Sequence, residues 1–291
     1  MLALLFSSLI WAFSYGLIKG NLTNLSPDFV AWTRMIIPFL LFMPFFSKKN
    51  LSIKHSLFLF FIGAVQYGIM YLLVIRSYAY LQAHQIVLFT AFVPIYVTLI
   101  HNLWQKSFSL FQLGIAILSF LGVLCIYLGD LTWNATLKGF LLVQLSDLCF
   151  AFGQVAYKRF RKKHKELQDQ NVYALLFFGG VIITGVSTSS LQGWSSFALL
   201  TAKQNYLLLY LGAIASGLCF FLWNRASVKT PIGTLAVFNN VKIPLGVLVS
   251  LVFFQEKANY PGLFISFLFL FTALILSHKF EKKTISQHTF L

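Results

Sequence analysis

The feature that most constrains this chain is a series of ten apolar windows, at roughly 2–18, 29–46, 56–75, 84–103, 109–128, 139–157, 172–188, 206–222, 232–254 and 262–278, separated by Lys/Arg, Asn, Pro or Gly clusters. Each is close to the about 20 residues that a helix needs to cross a bilayer. The runs are continuously apolar rather than alternating over about ten residues, so they fit helices and not barrel strands, and lipid offers the backbone no other way to pair its polar groups. Composition excludes a water-soluble alternative. Hydrophobic residues make up 58% of the 291 and charged ones 10%, against about 45–50% and about 25% in soluble domains. The expected fold class is all-α integral membrane, with ten transmembrane helices.

The first window has no basic region before it and no A-x-A-like site after it, and it runs without a break into Lys19. We read it as an uncleaved first helix rather than a signal peptide. Cys125, Cys149 and Cys219 all fall inside windows with no CxxC or Cys/His spacing, so neither a disulfide framework nor a metal site is expected.

A net charge of +15 in a soluble protein would point to nucleic acid, but here the basic residues are divided among alternate loops. With the N-terminus cytoplasmic, fifteen of the 22 Lys and Arg fall on inner loops, five (Lys19, Arg76, Lys138, Lys203, Lys257) on outer loops, and Arg34 and Lys242 inside spans. That is the bias of the positive-inside rule. It places both termini in the cytoplasm of a bacterial cell, in the inner membrane, with lipid and a small-molecule substrate as partners and no nucleic acid; the oligomeric state is not legible. The stretch 158–171 begins Lys158-Arg-Phe-Arg-Lys-Lys-His-Lys165 and is expected to be a basic cytoplasmic loop joining helices 6 and 7.

The two halves of the sequence resemble each other. Leu9–Lys19 matches Leu148–Lys158 through Leu, Ala-Phe and Lys; Phe61–Gly68, continuing to Arg76, matches Tyr210–Gly217, continuing to Arg225; and Pro94 matches Pro244. We therefore divide the chain into repeats at 1–130 and 131–291. With five helices each, an odd number, the second copy would enter the membrane from the opposite face. Such an inverted repeat supplies the two nearly equivalent arrangements that alternating access requires.

Trp11 and Lys19 bracketing the first helix, Arg34 in the second, the five-plus-five pattern and Glu256-Lys257 closing helix 9 together resemble the drug/metabolite transporter superfamily, in particular its EamA-type branch. The resemblance extends over nearly the whole chain. It implies a carrier with a central cavity lined mainly by helices 1, 3, 4, 6, 8 and 9, amino acids and related metabolites as common substrates, and a structural or gating ion pair for Arg34. One departure is that Gln105-Lys106 stands where the first half of the family usually has Gly-Glu-Arg, and Gln255-Glu256 in the second half lacks the Gly.

An ionisable residue near mid-membrane costs at least about 2.5 kcal/mol on insertion scales, so each needs a reason. Asp147 and Lys242 fall near the middle of helices 6 and 9. Either they face a cavity, holding the amino and carboxylate groups of a zwitterion or a coupling proton at Asp147, or they form a buried structural pair. Asn239 and Asn240 precede Pro244, which frees backbone carbonyls of the turn before it; Asn239 shares a face with Lys242 and Asn240 points about 100° away. Gln66, Tyr67, Tyr71, Gln85 and Gln154 are further substrate-binding candidates, and Tyr15, Trp11 and Trp223 are aromatic ones. Lys19, Arg76, His84 and Arg225, near helix ends, are expected to be interfacial anchors.

No GxxxxGK[ST], GxSxG or HExxH motif occurs, so neither direct ATP use nor an intramembrane hydrolase is indicated. The expected function is that of a secondary carrier, an exporter or exchanger of an amino acid or derivative; an anionic or nucleoside-containing metabolite is the alternative. A channel and an enzyme are the readings from other classes. No cofactor is called for.

Overall fold

The computed structural model describes residues 1–106, 108–126, 137–253 and 260–289. Gln255, Glu256 and Lys257 lie outside the described residues, as does the side chain of His84. Every described element is helical. We number the continuous helical stretches α1 (Leu2–Asn21), α2 (Pro27–Phe42), α3 (Ile53–Ser77), α4 (Ala83–Phe89 through Val93–Gln105), α5 (Leu110–Ile126), α6 (Leu137–Lys163), α7 (Asp169–Ser190), α8 (Ala202–Lys229), α9 (Ile232–Phe253) and α10 (Tyr260–Thr289). Among the described residues, eight are long and apolar enough to cross a membrane; α5 and the described apolar stretch of α9, Ile232–Leu248, are shorter.

Local chemistry sets the helix ends. Pro27 opens α2, where a missing N–H costs nothing. Ser52 caps α3 by accepting from the His55 amide, and Thr201 with Gln204 forms a capping box on α8. Pro94 cannot donate to Thr90, and a short 3₁₀ turn at Thr90–Phe92 takes up the break. The expected loop at 158–171 is shorter than its charge implied. Residues 158–163 continue α6 as helix and α7 begins at Asp169, because Arg161 folds back to donate to the carbonyls of His164 and Leu167 and to Asp169, ordering the turn.

The packing is pairwise in a telling way. Helix α1 packs on α9 as α6 packs on α4; α3 packs on α6 and α7 as α8 packs on α1 and α2; α2 meets α7, and α5 meets α10. Large apolar side chains such as Leu57, Phe61, Val186, Phe264 and Phe271 remain exposed on the outside of the bundle, a belt that only lipid would cover.

Both α3 and α8 widen into π-helix, at Ala64–Ile69 and Leu211–Leu218. Widening loosens the regular i to i−4 ladder, and nearby carbonyls receive side-chain donors from other helices. Trp11 Nε1 donates to Ala215 O at 2.8 Å, Ser7 to Cys219 O at 3.1 Å, Tyr173 to Phe220 O at 2.6 Å, and Ser146 to Met70 O at 3.1 Å.

The two ends of the bundle differ. One, end A, gathers the α1–α2 and α3–α4 turns with the N-termini of α6 and α8: Gln204 donates to Asn21 O, and Lys138 lies 4.7 Å from the Tyr80 ring. The other, end B, gathers the α2–α3, α4–α5, α6–α7 and α8–α9 turns: Ser47 N donates to Asn171 O and Arg159 to Trp104 O. Lys48, Lys49, Lys54, Lys106 and the basic run 158–165 all lie at end B.

Candidate functional site

A cavity of about 90 Å³ runs from the middle of the bundle toward end A. Helices α1, α2, α3, α4, α6, α8 and α9 all line it. Its wall is largely apolar and aromatic: Trp11, Tyr15, Ile18, Met70, Tyr71, Val74, Ile75, Tyr78, Val93, Phe150 and Phe220. Three charged residues enter it, Arg34, Asp147 and Lys242, all buried.

Asp147 and Lys242 share the cavity but make no ion pair within 4.0 Å, so the locked structural pair considered from the sequence is not what is observed. Asp147 Oδ2 is buried with no donor among the described residues. The Lys242 ammonium sits 6.0 Å from the Phe150 ring centre and has no hydrogen-bond acceptor among the described side chains or backbone. A buried cation of this kind retains the capacity to bind an anion.

Arg34 departs from expectation. No acid among the described residues pairs with it. Its Nε donates to Ser216 Oγ at 3.1 Å and its Nη2 to Tyr71 OH at 2.9 Å, the guanidinium lies 4.5 Å from the Tyr71 ring centre, and Tyr71 and Ser216 share a hydrogen bond of 2.9 Å. It stands at the cavity wall as a fixed positive charge. Its depth in α2 was the signal in the sequence that it had a role beyond anchoring.

Of the twelve candidate substrate-binding residues, Asp147, Lys242, Tyr71, Tyr15 and Trp11 line the cavity. The others do not. Gln66 and Asn224 exchange hydrogen bonds of 3.2 and 3.3 Å, Asn224 also donates to Tyr67 OH, and Tyr67 and Tyr173 share a bond of 2.6 Å. Asn239 donates to Gln154 Oε1 at 3.3 Å and to Leu235 O at 3.0 Å. Asn240 donates to Ala91 O and lies 3.4 Å from Ser119 Oγ. Gln85 caps α4 by accepting from Gln82 N at 2.9 Å. Trp223 is fully buried 4.9 Å from Trp11, ring centre to ring centre.

The residues of α3, α6, α8 and α9 just named, Gln85 and Asn240 aside, form a packed polar floor between the cavity and end B. Several floor groups are buried without partners among the described residues: Gln154 Nε2, Asn239 Oδ1 and Trp223 Nε1.

Two of the expected anchors at the helix ends, Lys19 and Arg76, are tied internally, while Arg225 is exposed. Lys19 Nζ donates to Tyr78 O at 2.8 Å and Leu81 O at 3.1 Å, while Lys158 donates to Ser227 O and Thr230 O. Arg76 pairs with Asp28, and Ser187 donates to the same carboxylate at 2.6 Å. Arg225 lies 5.9 Å from the Phe221 ring centre.

Residues 1–128 match the EamA-like transporter family. The chain is 32% identical over 270 residues to a biotin transporter of Salmonella typhimurium, covering 90% of this chain and 87% of that protein. It is 30% identical over 298 residues to a biotin transporter of Escherichia coli K12 (99% and 96%), and 31% identical over 267 residues to a probable biotin transporter of Pseudomonas aeruginosa (89% and 91%). A solved crystal structure superposes with a TM-score of 0.70 at 12% identity, covering 95% of this chain and 96% of the other, a likeness of fold. The chain belongs to the EamA-like transporter family and is a multi-pass membrane transporter.

Proposed function

We propose that this transporter carries biotin across the bacterial inner membrane by alternating access, with Lys242 as the receptor for the substrate carboxylate. The observation that carries the reading is the Lys242 ammonium, without a hydrogen-bond partner among the described residues, in a largely aromatic and aliphatic cavity. Biotin is a monoanion at neutral pH with an apolar bicyclic body and a cyclic urea. It presents one carboxylate to one cation, and its ring system suits a wall of Trp11, Tyr15, Tyr71 and Phe150. The names of the relatives point to the same compound.

An amino acid or derivative is the second reading, because Asp147 beside Lys242 offers an acceptor for an ammonium group. Biotin has no ammonium, so the two separate cleanly. Full-length protein in proteoliposomes should exchange radiolabelled biotin, and biotin amide, which lacks the charge, should compete poorly. Lys242→Ala should reduce biotin counterflow by about 10- to 100-fold, the loss of a charged hydrogen bond, with Lys242→Arg retaining part. Counterflow of an amino acid but not of biotin would return the function to the second reading.

We further propose that all ten helices cross the membrane, that residues 1–130 and 131–291 are inverted repeats, and that both termini are cytoplasmic. The exchanged packing of equivalent helices, the π-segments of α3 and α8, and the two lysine ties support the repeat. Tyr78 and Leu81 stand 149 residues before Ser227 and Thr230, the same offset as Phe61 to Tyr210. The gathering of basic residues at end B supports a cytoplasmic end B. The cavity then loads from outside, which favours uptake over the export expected from sequence.

A further inference from the structure

The arrangement of Asp147 raises a question that biotin binding alone leaves open, since an anion carrier has no evident need of a second negative group in its site. Asp147 is buried, lines the cavity, and has one carboxylate oxygen without any donor. Lys242 from α9 lines the same cavity and attracts its charge. The other titratable groups around it are Tyr96 from α4, whose hydroxyl donates to Gln144, Tyr71 and Tyr78 from α3, Tyr15 from α1, Arg34 across the cavity from α2, and Cys149 on its own helix. None brings it a donor, and Arg34 is committed to Tyr71 and Ser216.

We propose that Asp147 is the binding site for a co-transported proton, one taken up with each monocarboxylate; this rests on the carrier reading above. In the empty site, Lys242⁺ and Asp147⁻ cancel. When the substrate carboxylate pairs with Lys242, Asp147 is left as an uncompensated buried charge. A proton from the water at end A forms an O–H bond to the Asp147 carboxylate and restores neutrality. Lys242⁺ with Asp147⁻, plus RCOO⁻ and H⁺, becomes the Lys242⁺ carboxylate pair with Asp147 neutral, with zero net charge on both sides. Arg34 keeps its charge throughout. On the opposite side the carboxylate leaves Lys242, the proton leaves Asp147, and the cycle closes.

The test uses full-length protein in proteoliposomes with radiolabelled biotin and a pH-sensitive dye trapped inside. With the potential clamped to zero, an inward proton gradient should drive biotin several-fold above equilibrium, and biotin entry should acidify the lumen one proton per biotin. A membrane potential alone should drive none. In Asp147→Asn, at whatever residual rate it exchanges, gradient-driven accumulation should vanish and counterflow should lose its dependence on pH between about 5.5 and 8. Asp147→Glu keeps a carboxylate and should keep the drive, which covers the case of an unstable amide variant. Normal biotin counterflow without gradient-driven accumulation, or accumulation surviving in Asp147→Asn, overturns the proton site alone. Absence of any biotin counterflow in the wild type overturns the biotin reading and the proton site together.

Discussion

Arg34 holds its charge against a hydroxyl pair, Ser216 from α8 and Tyr71 from α3, which makes it a clip between three helices as well as a wall of the cavity. The planar fork is what reaches both oxygens; a lysine amine cannot copy it. Arg34→Lys should lower stability in detergent by about 1–3 kcal/mol, read as a drop in unfolding temperature. In a double-mutant cycle with Ser216→Ala, the coupling should be about 0.5–3 kcal/mol. The identity of the charged residues in the membrane was legible from hydropathy, since each stood out against an apolar background. Their partners were not. Asn239 was placed on the face of Lys242 by its i to i+3 spacing, yet it turns to Gln154 on α6, a contact set by which helix packs beside α9 and invisible to spacing within one helix. Gln85 misled for a simpler reason: three residues after Gln82, it satisfies an orphan amide at a helix start.

At the scale of elements, α3 and α7 approach so closely that side chains are excluded. A Cβ on Gly63 would stand 1.8 Å from Leu176 O, and one on Gly179 would stand 2.2 Å from Phe60 O. Small residues let helix backbones meet in this way, and van der Waals contact then replaces the hydrophobic drive that lipid removes. Gly63→Ala should destabilise the folded carrier by about 1–3 kcal/mol, whereas Gly114→Ala, with nothing within 4 Å, should be neutral; thermal unfolding in detergent, followed by size-exclusion chromatography, separates the two. The apolar windows located the helices because membrane crossing imposes length and composition together. Their ends were less legible. Residues 158–163 looked like a loop by charge and are helix, since Lys and Arg are good helix formers and Arg161 donates to the carbonyls of His164 and Leu167 just beyond the end. The π-segments left no trace in the sequence beyond the glycine-containing match between Phe61–Gly68 and Tyr210–Gly217.

For the whole molecule, orientation is the quantity that charge alone had to supply. In a variant freed of Cys125, Cys149 and Cys219, Ser195→Cys at end A should react with a membrane-impermeant maleimide on intact cells, while Glu166→Cys at end B should react only after permeabilisation; the reverse pattern would invert the proposed topology. The match between the two halves of the sequence has a counterpart in the structure, where Lys19 and Lys158 make equivalent ties to backbone carbonyls. The cavity itself was only partly readable, because five of twelve candidate residues reach its wall and the rest, Gln85 and Asn240 aside, build the packed floor below it. That floor has an electrical consequence. In the proposed topology, with the cavity on the outer side of this packed layer, the layer takes most of the membrane voltage, so a charge bound above it would lie near the outside potential and binding would be only weakly sensitive to voltage. The sensitive step is passage across the floor, where each uncompensated charge would gain or lose about 2.3 kcal/mol per 100 mV, and where a load of zero net charge would feel almost none.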